Sequence, residues 1–354
     1  MKKIRVLIVD DSAIVRDVLT KKLSEQGDIE IIGVAQDPFI ARNKIVNLSP
    51  DVITLDIEMP KMDGLTFLEK LMRYNPLPVV VVSSVTTKDK YASIKALELG
   101  AFDIVNKPGE SISVNEITDE IADKIRKAYE LKDVYLHRKK IVEDSLAQKK
   151  VAFQKNILGT IATTDKIIAI GASTGGTIAI EYIFKNLPNN LPPIVVVQHM
   201  PQNYTRLFAD RLNELSKINV KEAEDNEILE NGAAYIAKGN FHLTIERRGA
   251  SFYTKLVSSD KVQFQRPSVD VMFNSVANCA GKNALAFLLT GMGRDGAEGL
   301  LNIKNSGGLA VIQDEKSCIV WGMPKAAYDL NAYDRIIPLS DIPEAVVRIV
   351  ADII

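Results

Sequence analysis

Hydrophobic residues along this chain fall into short continuous runs separated by longer stretches of helical period. Residues 4–9, 30–35, 51–55, 78–83 and 102–106 are runs rich in β-branched residues, and amphipathic segments lie at 12–25, 38–48, 64–74 and 88–99, with a fifth near 114–131. Runs such as Val79-Val80-Val81-Val82 are apolar on both faces, which suits a parallel strand covered on both sides better than a half-exposed one. Alternating strands and helices of this length predict an α/β unit built on a doubly wound, parallel, five-stranded sheet.

The pattern changes at 132–163, where Lys, Arg, Gln and scattered apolar residues show no strand signal. This stretch reads as a linker, helical at first. Regular alternation resumes at Lys166-Ile167-Ile168-Ala169-Ile170, and further strands are expected at 194–198, 219–223, 233–237, 284–290 and 309–313. Residues 241–245 and 251–256 alternate in polarity around Arg248-Gly249-Ala250, the signature of an antiparallel hairpin. The expected organisation is a first domain over 1–131, a linker over 132–163, and a second over 164–354. The second is also doubly wound and mainly parallel α/β, with an added β-hairpin, and is not a repeat of the first.

Composition narrows the classes. At 354 residues, two domains of ordinary size are expected, and 46% hydrophobic residues are enough to give each a core. A formal net charge of −1 offers no basic field for nucleic acid. Cys279 and Cys318 stand far apart, without zinc-ligand spacing, which fits a reducing compartment. The apolar start is cut short by Asp10 and Asp11 before it can serve as a signal sequence, and no later stretch reaches membrane-spanning length. A cytoplasmic, monomeric protein without membrane insertion is expected.

Five polar residues of the first half stand at predicted strand ends: Asp10, Asp11, Asp56, Ser83 and Lys107. In doubly wound sheets, functional groups gather at the carboxyl edge. Three crowded carboxylates repel unless a hard divalent cation such as Mg²⁺ neutralises them, and a carboxylate can itself attack phosphorus to give an aspartyl phosphate. Lys107 would offset phosphate charge and the Ser83 hydroxyl would bond a phosphoryl oxygen. The bland alternative makes Asp10-Asp11 a helix cap and Asp56 a loop acid; five matching strand ends, with Met59-Pro60 and Lys107-Pro108 following two of them, weigh against it. Residues 1–130 resemble the receiver domain of bacterial two-component response regulators. The resemblance implies phosphorylation at Asp56 by a histidine kinase, with metal held by Asp11, Asp56 and the Glu58 carbonyl, helped by Asp10. One departure stands out: Ile104, three residues before Lys107, occupies the place where many receivers carry an aromatic switch residue.

The second half carries a different set. Gly171-Ala172-Ser173-Thr174-Gly175 follows an apolar strand and precedes a helical stretch from Thr177 to Lys185, the setting of a nucleophilic serine on a tight turn. The same glycines suit a dinucleotide loop, but that loop expects an acid after the next strand, and the next strand ends in Gln198-His199-Met200. Of three histidines, His137 falls in the linker and His242 in the hairpin, both read as bystanders. His199 is left as general base for Ser173. A third predicted strand runs into Gly291-Met292-Gly293-Arg294-Asp295-Gly296, where Asp295 would orient the imidazole. Amides near Thr174 and Met292 would hold an oxyanion. Arg266-Pro267-Ser268-Val269-Asp270 reads two ways: a capped helix start with Ser268 as N-cap and Asp270 on the dipole, or a substrate contact through Arg266.

A receiver, a linker, then Gly-Ala-Ser-Thr-Gly-Gly, Gln-His-Met-Pro, Arg-Pro-Ser-Val-Asp and Leu-Thr-Gly-Met-Gly-Arg-Asp-Gly resemble the chemotaxis protein-glutamate methylesterases over nearly the whole chain. The resemblance implies a phosphorylation-activated esterase that hydrolyses glutamate γ-methyl esters on the cytoplasmic helices of methylated chemoreceptors, and deamidates certain receptor glutamines. No cofactor is expected at the ester site. The rival from another class is a phospho-dependent scaffold whose second domain is catalytically silent.

Overall fold

The structure, a computed structural model, describes residues 3–59, 62–83, 87–107, 114–132, 138, 146, 165–202 and 204–351. Pro60, Pro108, His137 and most of the expected linker lie outside the described residues. The chain divides into two compact units, Met1–Leu136 and His137–Ile354, each with its own parallel sheet and core.

In the first unit, β1 (Ile4–Val9), β2 (Ile29–Ala35), β3 (Val52–Leu55), β4 (Val79–Ser83) and β5 (Asp103–Asn106) lie in the order β2-β1-β3-β4-β5, all parallel. β3 and β4 are buried along their whole length, as their unbroken apolar runs require. Helices Ala13–Ser24, Pro38–Leu48, Gly64–Tyr74, Thr87–Leu99 and Val114–Glu130 alternate with the strands. The first of these is capped by Ser12, whose side chain accepts from the Val15 amide. The preceding acids are thereby spared that task, and the cap reading of Asp10-Asp11 gives way. The order of strands reverses between β1 and β3, so their carboxyl ends border the crevice where open α/β sheets bind ligands.

The second unit holds β6 (Ile167–Ala172), β7 (Ile194–Gln198), β8 (Asn219–Glu222), β9 (Ala233–Ile236), β12 (Ala284–Leu288), β13 (Leu309–Gln313) and β14 (Arg335–Ile337). They form one parallel sheet in the order β14-β13-β12-β6-β7-β9-β8. The three-residue edge strand β14 was not anticipated, because a run so short carries no readable period. The expected hairpin is present as β10 (His242–Arg248) and β11 (Ser251–Val257), antiparallel and separate from the main sheet. Helix Val269–Ala280 covers the sheet through the buried side chains of Val269, Met272, Phe273 and Val276. Here the reversal falls between β6 and β12. Among the described residues, no helix is long and apolar enough to cross a membrane.

Candidate functional site

Three strand ends of the second unit converge. Ser173 directly follows β6 and His199 directly follows β7, and the residues just before them, Ala172 and Gln198, are register partners. The His199 amide donates to the Ala172 carbonyl at 3.1 Å and the Ser173 amide to the Thr290 carbonyl, beyond β12, also at 3.1 Å. The buried Gln198 adds a clamp: its Nε2 donates to the carbonyls of Ser173 (2.9 Å) and His199 (3.0 Å). Behind Ser173 the helix Gly176–Lys185 begins, and its first residue must be glycine, since a Cβ there would stand 2.1 Å from Gln198 Oε1. The backbones of Ser173 and His199 are therefore held side by side, by their own amides and a single buried side-chain amide.

Asp295 completes the group. His199 Nε2 donates to Asp295 Oδ2 at 2.8 Å, and both side chains are nearly sealed from water, at 5% and 3% exposure. The carboxylate also accepts from Ser268 Oγ (2.7 Å), the Val269 amide (2.7 Å) and the Asp270 amide (3.1 Å). These donors are the start of helix Val269–Ala280, whose N-terminal amides and dipole favour an anion. Gly171 permits the approach, for a Cβ on it would meet Val269 Cγ1 at 2.2 Å. Burial pushes the Asp295 carboxyl up, but hydrogen bonds from His199, Ser268 and Val269 more than offset this and hold it below its ordinary value. The neighbouring Asp270 moves the other way, to about 6: burial dominates, the Gly299 amide opposes it, and the charge of Asp295 reinforces it.

The segment Arg266–Asp270 thus resolves into parts. Ser268 is the N-cap, accepting from the Val271 amide, and in addition it grips Asp295. Arg266 is engaged with Asn240 Oδ1 through Nε (3.1 Å) and Nη2 (2.6 Å), and with the Ser259 carbonyl through Nη1 (2.6 Å). His242 is buried; its Nδ1 accepts from the Ser268 amide at 3.1 Å and its Nε2 donates to the Asp260 carbonyl at 2.9 Å, so the hairpin fixes the start of the helix. Thr174 presents its carbonyl to Thr290 Oγ1 at 3.0 Å, Met292 is half-buried, and Trp321 packs against the core beside Gly291. The sequence reading passed over Gln198, His242 and the cradle role of Ser268 to Asp270. The available signal was general: a buried acid needs donors, and a capped helix start supplies them.

In the first unit, Asp10, Asp11 and Asp56 bring ligand oxygens within 4.8 Å of one another, with Asp10 and Asp56 buried and Asp11 exposed. Lys107 Nζ lies 2.7 Å from Asp56 Oδ2 and 2.9 Å from Asp10 Oδ2. Among the described residues, Asp56 Oδ1 accepts only a long bond from the Glu58 amide, 3.2 Å. Burial raises the Asp56 carboxyl to about 6; Lys107 opposes this and Asp10 adds to it. Ser83 is buried, its Oγ without a hydrogen-bond partner among the described residues, and Ile104 is buried in β5.

Both halves match known families. The family model for CheB methylesterase covers residues 168–346, and that for the response regulator receiver domain covers 6–121. The chain belongs to the CheB methylesterase family. A protein of Syntrophus aciditrophicus named protein-glutamate methylesterase/protein-glutamine glutaminase 2 is 50% identical over 350 residues, covering 99% of this chain and all of that one. A Nitrosomonas europaea protein named protein-glutamate methylesterase/protein-glutamine glutaminase is 49% identical over 344 residues, 96% of this chain and 95% of its own. The crystal structure of the Thermotoga maritima CheB methylesterase catalytic domain, 40% identical, superposes with a TM-score of 0.52 over 53% of this chain and 100% of that one. The methylesterase match contains Ser173, His199 and Asp295, and the receiver match contains Asp10, Asp11, Asp56, Ser83 and Lys107.

Proposed function

We propose that the chain is a phosphorylation-activated protein-glutamate methylesterase and protein-glutamine glutaminase, acting on methylated chemoreceptor cytoplasmic domains in chemotaxis adaptation. Ser173 Oγ attacks the γ-carbonyl of the ester while His199 takes its proton. With Nε2 committed to Asp295, Nδ1 is the nitrogen that serves Ser173. The oxyanion is met by amides near Thr174 and Met292. Collapse breaks the C–O bond, and the imidazolium returns the proton to the departing methoxide, releasing methanol. Water, deprotonated by the same imidazole, then cleaves the acyl-enzyme to leave a glutamate carboxylate. A glutamine amide follows the same path with ammonia leaving. The observation that carries this reading is the 2.8 Å His199–Asp295 bond beside the turn that bears Ser173. An assembled base–acid pair gives no support to a silent second domain.

The acidic cluster fits a hard divalent cation, having three carboxylates within reach of one ion. Asp11, Asp56 and the Glu58 carbonyl, with Asp10, would hold Mg²⁺, which supplies charge neutralisation for phosphoryl transfer. Asp56 is the phosphate acceptor from a histidine kinase. Ser83, whose buried hydroxyl has no partner among the described residues, and Lys107 would receive the phosphoryl oxygens. Residues 1–131 form the receiver domain, 132–163 a linker and 164–354 the catalytic domain of a cytoplasmic monomer. The deciding measurement is methanol release from methylated receptor membranes, with and without a small phosphodonor. Stimulated release is expected, and none under either condition overturns the reading.

A further inference from the structure

We propose that the turn Val262–Gln265 is a docking contact for the receptor polypeptide, with Phe264 as its apolar anchor; this rests on the methylesterase reading above. Phe264 is 91% exposed, more than any other large hydrophobic residue among those described. Its backbone is left-handed, φ 66°, and so is that of Gln263, φ 49°. Two consecutive left-handed residues make the tight hairpin turn that ordinarily selects Asn and Gly. A phenylalanine gains nothing locally from that conformation, and such strain persists only where the surroundings enforce it.

They do so here. Val262 and Gln265 exchange backbone bonds at 3.0 and 2.9 Å. Gln263 Nε2 donates to the buried Asp270 at 2.9 Å, and Arg266 is tied to Asn240 and the Ser259 carbonyl. The backbone that carries the ring is therefore fixed, which lowers the ordering cost to a partner. Four residues further along, Ser268 holds Asp295, so the anchor and the hydroxyl that grips the acid of the triad share one short segment. Lys261, also exposed, adds positive charge beside it. A polypeptide delivering a glutamate side chain to Ser173 must pass over the rim of the site. An exposed aromatic four residues from Ser268, which holds the acid of the triad, suits an apolar patch on that polypeptide.

The test compares Phe264→Ala and Phe264→Asp with the wild-type full chain on two substrates, methylated receptor membranes and a short peptide bearing glutamate γ-methyl ester. Both variants should lose about tenfold or more in kcat/KM on receptor membranes, through KM, while peptide-ester hydrolysis stays within about twofold. Phe264→Gly, which suits the left-handed turn, should keep the wild-type melting temperature and show the same receptor defect. Undiminished receptor demethylation in Phe264→Ala and Phe264→Asp sinks the docking role alone. So does an equal loss on both substrates, which would mean that the turn merely supports Asp295. Wild-type chain that cleaves the peptide ester but leaves receptor membranes untouched overturns the receptor reading, and the docking role with it.

Discussion

Two buried aspartates, Asp56 and Asp295, each lie beyond a strand beside the point where the order of a parallel sheet reverses, yet they are prepared for opposite tasks. Asp295 is saturated: four donors, three of them from one helix start, occupy both oxygens, and its carboxyl is held below the ordinary value. Such a group cannot attack anything; it can only orient and balance an imidazole. Asp56 is poorly supplied: among the described residues it has one long amide bond and a lysine shared with Asp10, and its carboxyl is raised to about 6. An oxygen held by a single long amide bond inside a crowded acid cluster is open to a cation and a phosphoryl group. The surrounding donors, not the position in the fold, decide whether an acid becomes an anchor or a nucleophile.

The largest expected effect separates the two sites altogether. Ser173→Ala should lower ester hydrolysis by about 10⁴–10⁶ without changing phosphate incorporation at Asp56, read by methanol release and radiolabel on the same preparation. Near-normal hydrolysis would remove Ser173 as nucleophile. Double substitution with His199→Ala should cost little more than either alone, because the pair acts as one unit.

Replacing each aspartate by asparagine tests the contrast directly. Asp295→Asn should cut hydrolysis by about 10⁴. Whichever way the amide is turned, it leaves at least one buried amide N–H, that of Val269 or Asp270, without an acceptor, at about 1–3 kcal/mol. Urea unfolding should register that loss. Asp56→Asn should leave stability unchanged or improved, since it removes one charge from a crowded cluster. A stability loss at Asp56 equal to that at Asp295 would dissolve the distinction.

A smaller effect is regulatory. Asp56→Asn should abolish incorporation of phosphate and with it the stimulation of methanol release. If that stimulation is hundredfold, phosphorylation shifts an equilibrium by about 2.7 kcal/mol. A fragment lacking residues 1 to about 160 should fold, because its sheet has its own core. It should exceed the unphosphorylated full chain in activity and ignore phosphodonor. A folded fragment no faster than that parent would make the receiver an activator instead.

The smallest effect concerns Asp270. Its carboxyl is raised from 3.8 to about 6 in the folded state, so the native protein holds a proton that the unfolded chain releases. That contribution to stability is present below about pH 4 and is lost as pH rises through about 6. Asp295 runs opposite, losing its contribution only as pH falls below the ordinary carboxylate range. The melting temperature should therefore fall by a few degrees between pH 4 and 6, about 2–4 °C per kcal/mol in a unit of this size. Asp270→Asn should flatten that slope; an unchanged slope would place the titration elsewhere.

Periodicity alone determined most of the fold. Unbroken apolar runs with helices between them can only be parallel strands covered on both faces, and strand ends then pick out Asp10, Asp11, Asp56, Ser83, Lys107, Ser173 and His199 without coordinates. The edge strand Arg335–Ile337 was not legible, because three residues carry no period and its pairing with β13 is a long-range choice. Nor could the sequence say that Ser268, Val269 and Asp270 turn their donors onto Asp295, some 25 residues away in the chain. Local pattern made the cap at Ser268 visible, but what an N-terminus points at depends on packing between elements. Only the tertiary structure, through the contact of Val269 with Gly171, brought that helix start to the acid. Hydrogen-bond supply is a property of neighbours in space, and it separated the anchor from the nucleophile.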